Sequence, residues 1–147
     1  MKAQEELSKI LHYEALIESK SEELIRLDSL AKKMTAAMDG EAVSRSKNLD
    51  PMGTVIAKKE MLFNEIVQLQ EAYEKQKAFL SGIIDGLQKP VFIKILYGRY
   101  FNSKSLNTIA NEEGYCYRNI CYLHGNALQA VENEMAVNAN DNLQGDE

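Results

Sequence analysis

The 147-residue chain predicts an all-α fold: a long N-terminal antiparallel helical hairpin or coiled coil, followed by a C-terminal three-helix module. Three observations carry that expectation. The composition is rich in Glu, Lys, Leu, Ala and Ile, with two Pro and no Trp, which favours helix over sheet. Apolar residues recur at three- and four-residue spacing through two long stretches, 2–34 and 52 to about 85, as on one face of a helix. Residues 90–136 then divide into shorter periodic segments punctuated by Asn102-Ser103 and Gly114.

The first stretch places Ile10, Tyr13, Ile17, Leu24, Leu27, Ala31 and Met34 on one stripe, widened by Leu7, Leu16 and Leu30. Charged residues such as Glu5, Glu18 and Glu22 fill the remainder, as expected of an amphipathic helix. Residues 35–51 are polar and turn-prone and predict a loop. Asp50 suits the cap and Pro51 the first position of the next helix.

The second stretch repeats every seven residues. Val55, Leu62, Leu69, Gln76 and Ile83 form one column, and Lys59, Ile66, Tyr73, Leu80 and Leu87 the other. A sustained heptad predicts coiled-coil packing, within one chain or between chains. An isolated two-helix layer covers its apolar face poorly, so a homodimer or higher oligomer is expected. Gly82, Asp85 and Gly86 end this helix, and domain boundaries follow at 1–88, 89–136 and 137–147. The last of these is polar and acidic and predicts a disordered tail.

The C-terminal module begins with a helix from Pro90 to about Phe101. Ser105 caps a second helix, Leu106 to Glu113, and Gly114 supplies a left-handed turn. A third starts near Tyr117 and extends to about Met135. Ala110 is small enough for two helices to approach, and Tyr115, Ile120 and Leu123 complete an apolar set. These are the requirements of a helix-turn-helix, whose second helix enters the major groove of DNA. Its exposed face then begins with Tyr117, Arg118, Asn119, Cys121 and Tyr122. Arg118 suits guanine and Asn119 suits adenine in bidentate pairing. Lys104, Ser105 and Asn107 open the preceding helix, where backbone amides and positive charge suit phosphate. Gly125 is a mid-helix glycine that close approach of another helix would explain, with proximity to DNA as the alternative.

Residues 96–128 resemble region 4 of the sigma-70 factors. The whole chain resembles a family of small Gram-positive phage and prophage proteins, akin to ArpU-type late-gene regulators, that join long N-terminal helices to such a module. The likeness is specific over 96–128 and loose over 1–88. It implies a phage-type transcriptional regulator whose partners are double-stranded DNA and RNA polymerase. Three positions depart from the pattern. Cys116 stands where Ser caps the recognition helix, Glu113 where an apolar residue precedes the turn, and Asn126 where an Arg would add a phosphate contact.

The net charge of −5 is low for a DNA-binding protein, but it is unevenly spread: net −3 over 1–88, +1 over 89–135 and −3 over 136–147. Two alternatives stand beside the regulator. One is a small-terminase-like DNA-packaging protein, in which the DNA-binding part commonly comes first. The other is a sigma-mimicking interaction module that does not touch DNA. No Gly-rich phosphate loop, metal triad or nucleophile motif is present, so no enzyme, cofactor or metal is expected. Cys116 and Cys121 form no CxxC pair, and Cys121 with His124 is only half a zinc site. With no apolar run near the roughly 20 residues of a membrane span and no signal-peptide core, a cytoplasmic protein of a bacterial host cell is expected.

Overall fold

The computed structural model describes residues 1–39 and 51–145. Among these the chain is all-helical, with no strand. It comprises α1 (Lys2–Asp39), α2 (Pro51–Asp85), α3 (Pro90–Leu96), a π-helical turn (Tyr97–Phe101), α4 (Leu106–Glu113) and α5 (Tyr117–Gln144). No helix among the described residues is long and apolar enough to cross a membrane.

Two compact units divide the chain. One comprises Met1–His12 with Tyr73–Glu147, the other Tyr13–Ala72. The first has a continuous apolar core. Ala3, Leu7 and Ile10 of α1 pack with Leu80, Ile83 and Ile84 of α2, Phe92 and Leu96 of α3, Tyr100 of the π-helical turn and Ala127, Leu128 and Val131 of α5. Polar groups close its edges. The Glu132 carboxylate accepts from the Ala3 amide at 2.7 Å, satisfying one of the amides that every helix start leaves without an intrahelical acceptor. Gln76 Nε2 donates to the Glu6 carbonyl at 2.9 Å and to its carboxylate at 2.8 Å. Lys9, with Gln76 second, holds the Glu6 carboxyl below its ordinary value.

The second unit is thinner. Among the described residues its buried apolar side chains are Leu27, Val55 and Ile66. Lys20 pairs with Glu65 at 2.7 Å and Asp28 with Lys59 at 2.9 Å, so the partner numbers fall along α2 as they climb along α1. Hydrogen bonds from Lys59 and Lys32 hold the Asp28 carboxyl down. Every member of the two heptad columns is buried or half-buried, whereas Ile56, Met61, Phe63 and Val67, which lie off the columns, are exposed. On α1 the expected stripe is likewise covered, with one correction: Leu30 is 37% exposed, because it lies at the margin of the stripe.

Two boundaries differ from the sequence expectation. α1 continues through residues 35–39, where the loop was expected to begin; the run from Thr35 to Asp39 contains no Gly or Pro. The remainder of the expected loop, 40–50, lies outside the described residues. The expected disordered tail is helical to Gln144, with residues 146–147 outside the described residues. All of 136–145 is exposed. Its polar composition leaves it nothing to bury, and the helix continues by backbone hydrogen bonding that propagates from the packed part of α5.

Candidate nucleic-acid interface

A second apolar cluster underlies the candidate site. Ile95 of α3, Ile109 and Ala110 of α4, and Ile120 of α5 are buried together, flanked by Val91, Leu106 and Leu123. Local chemistry fixes where α4 begins and ends. The Ser105 Oγ accepts from the Thr108 amide at 3.0 Å. Gly114 adopts the left-handed conformation at φ 74°, open to glycine without a Cβ penalty. The Tyr115 amide then donates back to the Ala110 carbonyl at 3.0 Å. α5 starts one residue after Cys116, whose backbone has cap geometry but whose thiol makes no capping bond.

Gly98 allows the close approach on the other side of α4. A Cβ on it would lie 3.2 Å from the Ile109 Cδ1. It sits in the π-helical turn, where the Asn102 amide reaches the Tyr97 carbonyl at 3.0 Å. Ser103 follows with φ 55°, a left-handed conformation that costs a non-glycine residue roughly 1–2 kcal/mol. The Lys104 amide closes the connection by donating to the Gly98 carbonyl at 2.9 Å.

The eight residues singled out from sequence fall into three groups. Ser105, Asn107 and Tyr117 line one surface depression, together with Arg99, Ser103 and Leu106. Arg118 and Tyr122 are exposed farther along α5, while Asn119 and Cys121 are half-buried. Hydrogen bonding to Cys121 pushes the Tyr117 phenol above its ordinary value. Lys104 is tied to Glu112 at 2.9 Å. Glu113, which stands where an apolar residue would precede the turn, lies 3.3 Å from Lys94. Tyr115 is a correction: expected in the apolar set, it is exposed, since the turn after Gly114 carries its ring off the α4–α5 contact. Gly125 is another. A Cβ there would meet nothing within 4 Å, so no intramolecular close approach accounts for it.

Arg99 escaped the sequence reading. It belongs to a segment that the spacing predicts as ordinary helix, yet it reaches the depression that Ser105 and Asn107 line and donates to the Lys104 carbonyl at 3.4 Å. Behind it, Tyr100 Oη and His124 Nε2 are 2.9 Å apart and their rings stack at 5.8 Å. Burial, with Arg99 second, lowers the His124 pKa. Burial raises that of Tyr100, with the Arg99 charge acting in the opposite direction. Among the described residues no group of three His, Cys, Asp or Glu could hold a metal; His124 faces a phenol.

The result is a polar surface with Arg99 in the depression beside the α4 start and with Arg118, Tyr117 and Tyr122 exposed on α5. No acidic residue occurs between Tyr117 and Val131. Such a face can donate hydrogen bonds to an anionic backbone and to base edges. Comparison with protein-family models, curated proteins and solved structures gives no match.

Proposed function

We propose that the chain is a sequence-specific DNA-binding transcriptional regulator of the phage type. In this reading α4, the Gly114 turn and α5 form a sigma region 4-like helix-turn-helix, and α5 enters the major groove. α1 and α2 form an antiparallel hairpin that joins chains together or docks on RNA polymerase. The observation that carries the reading is the exposed, carboxylate-free start of α5, held on the Ile109–Ala110–Ile120 contact by a capped α4 and a left-handed Gly114.

The geometry supports the following roles. Ser105 occupies the Thr108 amide, which leaves the amides of Leu106 and Asn107 for a phosphate. Arg99, in the same depression, adds a charge-assisted donor. Arg118, with no ion-pair partner among the described residues, is the base-reading candidate. The apolar surface outside the heptad of α2 supports self-association.

The test is binding of the purified protein to DNA flanking its own gene across a salt titration, with Arg118→Ala beside it. Saturable binding that weakens with salt and falls about tenfold or more in the variant is expected. A well-folded protein that binds no duplex would sink the reading. A second reading, a sigma-like module that contacts protein alone, draws support from Lys94 and Lys104 being paired with Glu113 and Glu112; salt-independent capture of RNA polymerase without DNA binding would favour it.

A further inference from the structure

Gly125 is out of place in α5. Glycine is the poorest helix former after proline, and this one lies eight residues into a 28-residue helix. It is exposed, and a Cβ on it would meet nothing within 4 Å. Neither packing nor a turn asks for it. Gly82 is equally open but lies in the last turn of α2, where helix propensity counts for little.

The neighbours of Gly125 form a continuous face. Arg118, Tyr122, Gly125 and Gln129 follow one another at four, three and four residues and are all exposed. Tyr122 is 68% exposed. This face presents one cation, one phenol, one bare stretch of backbone and one amide, and no carboxylate. A protein groove that takes a helix is filled by several apolar anchors at such spacing, and this face has one ring, Tyr122, which also carries a hydroxyl. A polyanion with hydrogen-bonding edges fits its charge and chemistry.

We infer that Gly125 is the point where duplex DNA comes closest to α5, so that the reading surface extends beyond Arg118 along the Tyr122–Gly125–Gln129 face. This rests on the DNA-binding reading above. Arg118 and Gly125 are about 10 Å apart along the helix axis, within the roughly 12 Å width of one major groove. The missing side chain lets the backbone settle between the flanking Tyr122 and Gln129, which then reach the base edges on either side.

The experiment uses the full chain and a duplex selected by the wild-type protein from a random-sequence pool. Dissociation constants and thermal midpoints are measured for wild type, Gly125→Ala, Gly125→Leu and Arg118→Ala. Gly125→Ala is expected to raise the midpoint, because it improves the helix, while weakening binding. Gly125→Leu is expected to weaken binding about tenfold or more with a midpoint no lower than wild type. Binding by both Gly125 variants as tight as wild type, with Arg118→Ala impaired, would overturn this inference and leave the DNA-binding reading intact. A pool from which wild type selects nothing would overturn both.

Discussion

The Ile109 Cδ1 occupies the space that a Cβ on Gly98 would need, 3.2 Å from it, with Cγ1 at 3.3 Å. Ile109 has little room to yield, since it is buried with Ile95, Ala110 and Ile120. Gly98→Ala should therefore destabilise the protein by about 1–3 kcal/mol through overpacking, less whatever the better helix former returns. Ile109→Val removes the nearer carbon. The double variant should cost less than the sum of the two single ones in denaturant titrations; strict additivity would mean that the contact is not what constrains Gly98.

The two helix starts of the candidate interface should respond in opposite directions. Ser105→Ala removes the oxygen that holds the Thr108 amide and should cost about 1 kcal/mol. Cys116→Ser gives α5 the hydroxyl that its first residues lack, on a backbone already in cap geometry. It should add stability of about 0.5–2 kcal/mol. Thermal midpoints of the two variants, measured side by side, check both signs.

His124 should make stability depend on pH. Burial lowers its pKa from the ordinary 6.5, so below that value the unfolded chain binds more protons than the folded one. Stability is then fully present above 6.5 and declines as pH falls toward the folded pKa. The groups facing His124 are Tyr100 and Arg99, and neither offers a negative charge to hold an imidazolium. His124→Gln should flatten that part of the profile relative to wild type, as followed by denaturant midpoints from about pH 8 to about pH 5.

Glu112 and Glu113 each hold a lysine, Lys104 and Lys94. Glu112→Gln releases Lys104 from its 2.9 Å pair. On the DNA-binding reading the variant should bind duplex more tightly. The plot of log affinity against log salt should steepen by about 0.9 for each phosphate newly contacted. The fold should hardly notice, because an exposed pair is worth about 0–1 kcal/mol. An unchanged salt slope would place Lys104 away from the DNA.

What the sequence discloses is local. Ser105, Gly114 and the seven-residue columns of α2 each announce themselves through a few neighbouring residues, and α4 has the bounds that its cap and its glycine predict. What it conceals depends on residues far apart in the chain. Glu132 holding the Ala3 amide has no signature in either segment. Arg99 reaches the Ser105 depression from a backbone that widens into a π-helical turn, whose residues carry an ordinary helical pattern. Tyr115 looks apolar in any periodicity, and only the direction of the chain after Gly114 decides that it faces out.

The exposed end of α5 sets a gradient in time. Residues 136–145 bury no side chain, whereas Ala127, Leu128 and Val131 are locked in the core. Unwinding the last turns breaks backbone hydrogen bonds and little else, so it needs a small fraction of the free energy of global unfolding. Amide hydrogens beyond Ala136 should exchange with solvent well before those near Val131. A protease should trim the helix back to where packing begins, and the time course of that trimming would mark the edge of the folded unit residue by residue.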